Sequence, residues 1–210
     1  MNMFIDHVVA KKTSRTGPVG YPTPGKMYEF VYAANGVFIR AQRQGMAAQI
    51  PIVLYPGKKL PGLMSAGLVV ALETKIPLSI LDFMIRTSRE NIHSEMLFYL
   101  GYFNEKWSYY IPPQVATAAR CQPVNPYGPG AMIGMVDVHS HNTMDAFFSR
   151  EDDRDETGFR LYVVLGRLDK AWPHILCRVG IYGHHAVVPA SMIFQDFEKS
   201  GAHDVYTELC

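Results

Sequence analysis

His139-Ser140-His141 is followed by seven residues, then Ser149, two residues and Asp152. That run sets two imidazoles, a hydroxyl and a carboxylate at the spacing a water-activating zinc site needs. Residues i and i+2 of an extended segment point to one face, so His139 and His141 can share an ion at a strand end. Asp152 must then arrive from the next element. Two neutral imidazoles and one carboxylate leave a fourth position for water, the open arrangement of catalytic rather than structural zinc, with one Zn²⁺ per chain. A core histidine pair followed by an ordinary capping box is the structural alternative.

The elements that must position these residues can be read on either side. Met132-Ile133-Gly134-Met135-Val136-Asp137-Val138 is apolar, rich in strand formers and preceded by the Pro/Gly loop Asn125 to Gly130, so it reads as a buried strand delivering His139. Ser149-Arg150-Glu151-Asp152 has the Ser-x-x-acid form of a helix N-terminus, and Asp153, Asp155 and Glu156 add negative charge where the helix dipole favours it. Asp137 is either a partner of the ligands or a polar strand end. His184 and His185 are read as loop residues, because no carboxylate lies nearby in sequence to complete a second site.

The chain has 210 residues, 48% hydrophobic and 19% charged, which suits one ordinary domain with a substantial appendage, or two small domains. A formal net charge of +1 and the lack of a Lys/Arg cluster give no general pull toward nucleic acid or an acidic membrane. The N-terminus lacks the pattern of a secretion signal, and no segment approaches a membrane span. Cys121, Cys177 and Cys210 are odd in number and widely spaced, so neither a disulfide framework nor a thiolate zinc cluster is expected. A reducing cytoplasm is the expected compartment, with no nucleic-acid or membrane partner.

Residues 11 to 27 read as an extended Gly/Pro-rich arm. Tyr28–Ala33 and Val37–Ala41 flank Ala34-Asn35-Gly36, a hairpin signal, and a small β-rich N-terminal module (residues 1–75) continues through Ile52–Tyr55 and Gly67–Leu72. A second unit (residues 76–210) opens with a helix over about 77 to 91, where Ile80, Leu81, Met84 and Ile85 fall at helical intervals behind Pro77. Met96–Phe103 and Trp107–Pro112 read as a strand pair. Phe159–Leu168 and Ile175–Tyr182 read as two more strands, adjacent and antiparallel, and the tail from Ser191 as a short helix. The dense aromatic residues of Met96–Phe103 and Trp107–Pro112 are expected in the core, not as a base-stacking platform. The expected class is α/β, a mixed β-sheet flanked by helices with the β-rich module in front.

The full pattern resembles the signature of the JAB/MPN metalloprotease family, the JAMM proteases, over about residues 77 to 188. It is most similar to the bacterial, plasmid-associated PRTRC system protein A group, through Pro113–Ala119, His139–Ser149 and Arg178–Gly183. The resemblance implies a JAB/MPN, cytidine-deaminase-like architecture and hydrolysis of a peptide or isopeptide bond after the C-terminal tail of a ubiquitin-like protein. The expected partners are that protein or its conjugate, with E1-like and E2-like enzymes of the same system. The family has a catalytic Glu where a first helix passes into a strand, and Glu95 in His93-Ser94-Glu95-Met96 occupies that context, ahead of Glu90 and Glu73. The resemblance makes Glu95 the proton acceptor and Ser149 a donor to the developing oxyanion. Family members commonly carry Pro after the second His, where this chain has Asn142; that side chain is not a ligand, so the difference bears on the substrate groove.

Two other readings stand beside this one. A non-catalytic binding scaffold uses the same fold. A different metal-dependent amidohydrolase also begins with Asp-x-His-x-His, but such a barrel needs many more residues than the 69 that follow His141. Nucleobase deaminases need His-x-Glu and a later Pro-Cys-x-x-Cys; His93-Ser94-Glu95 has the first form, but no Pro-Cys-x-x-Cys follows it.

Overall fold

A computed structural model describes residues 5–10 and 26–208. Most of the expected arm at residues 11 to 27, and Cys210, lie outside the described residues. The first sheet has five strands in sequence order: β1 (Ile5–Val9), β2 (Tyr28–Ala33), β3 (Gly36–Arg43), β4 (Met46–Leu54) and β5 (Val69–Leu72). The β2–β3 hairpin turns where Asn35-Gly36 asked for it. A Cβ at Gly36 would lie 2.2 Å from the Val53 carbonyl oxygen, so the close approach of β4 also requires glycine there.

α1 (Leu78–Glu90) follows, entered through Pro77. It buries Ile80, Leu81, Met84 and Ile85, each worth about 1.5–3 kcal/mol when withdrawn from water. Then come β6 (Leu97–Phe103), β7 (Lys106–Tyr110), the small hairpin β8 (Gln114–Thr117) and β9 (Arg120–Pro123), the one-turn helix α2 (Pro129–Ile133), β10 (Val136–Ser140), α3 (Arg150–Asp155), β11 (Arg160–Gly166), β12 (His174–Ile181), β13 (His184–Val188) and the two-residue β14 (His203–Asp204). The tail around β14 forms three short 3₁₀ turns instead of a helix. The large sheet runs β13-β12-β11-β10-β6-β7, with β14 alongside the start of β12.

The architecture is mixed α/β, with 43% strand against 17% helix. The expectation of a sheet flanked by helices is corrected in one respect. Among the described residues only α1 is long enough to cover a sheet face. The remainder of that face is covered by the first sheet, because Ile39, Ala41, Met46, Ala48 and Ile50 share a single buried cluster with α1 and with Val136, Val138, Leu161, Val163, Cys177 and Val179.

β10 and β11 are parallel, whereas β10–β6, β11–β12 and β12–β13 are antiparallel. Two parallel neighbours cannot be joined by a tight turn, so the chain between them must cross back over one face. This crossover, residues 141 to 159, covers the face opposite the main core. Ala146 and Phe148 close a second small core there with Val164, Leu176 and Val187. Asp137 and His139 look out on the same face, because Val136, Val138 and Ser140 alternate inward.

Candidate metal centre

His139 is on the last turn of the pleat in β10, and His141 lies just beyond the strand end, held by its N–H to the Leu165 carbonyl at 2.7 Å. The two Nε2 atoms are 3.2 Å apart. Asp152 comes from the crossover, and its Oδ1 lies 3.8 Å from His139 Nε2. All three potential ligand atoms fall within 4.8 Å of one another. The spacing expected between ligands on a tetrahedral zinc is about 3.3 Å, given bonds of about 2.0–2.1 Å. The donor set fits.

The tautomers fit as well. His141 Nδ1 faces the Asp145 carbonyl oxygen at 3.2 Å, and a carbonyl only accepts. The proton therefore sits on Nδ1, and Nε2 turns a lone pair toward His139. Two imidazole nitrogens at 3.2 Å with a carboxylate beside them form a nest for a cation. Burial holds His139 down to about 4 and keeps it neutral at physiological pH; Asp152 opposes this, while His141 and Arg178 add to it. Burial also lowers His141, against the Asp145 carbonyl and Asp152.

Asp152 is oriented by a reciprocal capping box. The Ser149 N–H donates to Asp152 Oδ2 at 2.6 Å, and the Asp152 N–H donates to Ser149 Oγ at 3.2 Å. One carboxylate oxygen is thus fixed by backbone and the other, Oδ1, is turned to His139. Ser149 Oγ is an acceptor in this arrangement, so its own O–H remains able to donate.

Glu95 precedes β6 and is only 4% exposed. Leu97 lies opposite His139, and continuing that register brings Glu95 opposite His141, on the face the imidazoles use. Ser140, the residue between the histidines, makes the join: its N–H donates to the Met96 carbonyl at 3.0 Å and its Oγ accepts from the Met96 N–H at 2.9 Å. Burial pushes the Glu95 carboxyl up to about 7, and the Asp152 charge adds to the shift. Glu90 and Glu73 are exposed, at the end of α1 and just after β5, so Glu95 alone of the three glutamates is buried.

Several sequence expectations change here. Asp137 does not bond a ligand imidazole; its carboxylate accepts from Arg160 Nη1 at 2.7 Å. Met132 and Ile133 belong to α2 rather than to the strand, which begins at Val136. His184 and His185 are strand residues of β13, and His185 Nε2 meets the Glu156 carbonyl at 2.8 Å. Sequence reading passed over Arg178, buried in β12 with its Nε donating to Glu156 at 2.7 Å and Nη1 to Asp153 at 2.6 Å. A cation in the middle of the apolar run Ile175–Ile181 was the available signal. Phe147, its ring centroid 4.5 Å from that of His141, forms a further wall.

A hollow of about 680 Å³ adjoins the site and is lined by Asp145, Arg167, Trp172, His174 and His203. It shares Asp145 with the centre, but there the carboxylate pairs with Arg167 and lies 3.4 Å from His174. No helix among the described residues is long and apolar enough to cross a membrane. No protein-family model matches the chain, and no curated protein matches it. What the centre can do is therefore read from its own geometry.

Proposed function

We propose that this chain is a zinc-dependent metalloprotease of the JAB/MPN type, similar to the PRTRC system protein A group. It would hydrolyse the peptide or isopeptide bond that follows the C-terminal tail of a ubiquitin-like protein. The observation that carries this reading is the convergence of His139, His141 and Asp152 on one point, with the buried Glu95 on the same face. A divalent ion held by those three ligands would supply Lewis acidity toward a substrate carbonyl and toward water.

The remaining work falls to side chains. Glu95, with a carboxyl poised at about 7, accepts a proton from the attacking water and returns one to the departing amine, a role typically worth about 10²–10⁴-fold. Ser149 donates its O–H to the oxygen on which charge develops, since its lone pair is already committed to the Asp152 N–H. The neutral imidazoles need no proton loss before binding a cation. An extended tail would find backbone to pair with in the β8–β9 hairpin, which meets Glu95 through the Glu95 N–H to Thr117 carbonyl bond at 2.8 Å.

The test is incubation of zinc-loaded protein with fusions of candidate ubiquitin-like tails, alongside Glu95→Gln and His139→Ala. Cleavage at the tail by the parent alone supports the proposal. A protein that binds zinc but leaves every fusion intact would instead be a binding scaffold, and equal cleavage by Glu95→Gln would remove the assigned base.

A further inference from the structure

α3 carries Asp152, yet nothing apolar holds it down. It has six residues and none is buried, and a helix that short does not persist without outside contacts. The capping box fixes Asp152 relative to Ser149, but it is internal to the crossover and cannot fix α3 relative to β10. An attachment to the sheet has to do that.

The geometry points to Arg178 as the positioning residue that holds Asp152 within reach of the two histidines. This rests on the metal-centre reading above. Arg178 is on the face that His139 uses, because Asp137 pairs with Tyr162 and Tyr162 with Arg178 across β10, β11 and β12. Its side chain is 5% exposed. The guanidinium grips α3 on the far side of Asp152, at Asp153 and Glu156, with N···O distances of 2.6 Å for each. It also stacks on Phe148, its central carbon 3.9 Å from the ring centroid, immediately before Ser149. One planar cation thus brackets the Ser149–Asp152 box at both ends, which a lysine could not do.

The other ties are lesser ones. Arg120 reaches Glu151 at 2.7 Å, but both side chains are about half exposed, and such a pair contributes little. His185 Nε2 meets the carbonyl of Glu156, the residue that closes the helix, at 2.8 Å, a single contact to backbone that does not reach Asp153 or the Ser149 side of the box. Burial pushes the Glu156 carboxyl up to about 8, with Arg178 opposing the shift and the Asp152 charge adding to it.

The experiment is titration of the metal-free full chain with Co²⁺, following affinity and the visible d–d band, which reports the number and kind of ligands. The parent, Asp152→Asn, Arg178→Gln, Arg178→Lys and the double variant Asp153→Asn/Glu156→Gln are compared. Loss of the Arg178 tie is expected to weaken Co²⁺ binding about 10–100-fold. It should also shift the band toward that of Asp152→Asn, with Lys failing to restore it. The double variant breaks the same tie from the partly exposed helix side, so it decides the matter if Arg178→Gln does not fold. Parent-like affinity and band in a folded Arg178→Gln, or in the double variant, overturn the inference while leaving the centre standing. Full restoration by Arg178→Lys would show that charge alone suffices and overturn it too. A parent that binds no Co²⁺, or whose band equals that of Asp152→Asn, removes the metal-centre reading itself, and the inference with it.

Discussion

The backbone carbonyl of Asp145 accepts from His141 Nδ1 at 3.2 Å, and that bond decides which nitrogen His141 turns toward His139. A carbonyl cannot be mutated, but Gly166 supports its position. A Cβ at Gly166 would lie 2.4 Å from the Ala146 nitrogen and 2.6 Å from the Asp145 carbonyl carbon, so the crossover runs directly over it. Gly166→Ala should lift the Asp145 carbonyl away from His141 and lower zinc affinity about tenfold or more while the sheet remains folded. Competition against a chromophoric chelator measures this. Unchanged affinity would mean that the carbonyl does not orient the ring.

Glu95 is a second point where geometry gives a signed expectation. Its carboxyl titrates near 7 in the metal-free fold against 4.5 when unperturbed, because burial disfavours the charged form. The unfolded chain therefore releases this proton first. Folding should cost progressively more between about pH 4.5 and 7, with a plateau above of at most roughly 3 kcal/mol. Glu95→Gln removes that loss: denaturant midpoints of parent and variant should coincide at pH 4 and separate in favour of the variant by pH 8. Coincident curves throughout would contradict a buried carboxylate. On the protease reading proposed above, the bound cation favours the carboxylate, so the acid limb of kcat/KM should fall below about 7 and vanish in Glu95→Gln together with most turnover.

Metal should also act as a ligand of the native state alone. At free zinc about 100 times the dissociation constant, stabilisation is about 2.7 kcal/mol, or a rise in Tm of roughly 5–10 °C for a chain of this size. Glu95→Gln should retain the rise, since Glu95 is not a ligand. His139→Ala should abolish it, and a chelator should reverse it in the parent. A rise that survives His139→Ala would locate the bound zinc elsewhere.

Much of this was legible because the signals were local. Pro77 and the spacing of Ile80, Leu81, Met84 and Ile85 set α1, Asn35-Gly36 set the first hairpin, and Ser149 with Asp152 formed the reciprocal cap their spacing announced. α2 was missed because Met132 and Ile133 continue an apolar run into β10, although Pro129 at its start and Gly134 at its end were the relevant punctuation. β8 and β9 are four residues each, of mixed polarity, and joined through Ala118-Ala119 without a turn-forming residue, so they are too short to leave a periodic trace. The grip of Arg178 on α3 depends on strand order and register, which no local pattern encodes.

Asn142 follows the second histidine in the left-handed region, at φ 50. Its Nδ2 donates to the Ala118 carbonyl at 3.3 Å and its Oδ1 accepts from Ser140 Oγ at 3.4 Å, so the side chain ties the turn to the β8–β9 hairpin. Asparagine tolerates that backbone, whereas proline, locked near φ −65°, does not. The proline common at this place in the JAB/MPN family therefore cannot be introduced here without moving the chain. Asn142→Pro would also restrict the backbone of His141, the residue before it, and so disturb a ligand directly. It should lose zinc binding or fail to fold. Asn142→Gly keeps the positive φ and should bind zinc within a few-fold of the parent, losing only the side-chain ties. Asn142→Ala keeps neither and should cost about 1–2 kcal/mol of stability. Zinc affinity and urea midpoints of the three variants test this order, and a well-folded, zinc-competent Asn142→Pro would show that the turn after His141 is not the one described.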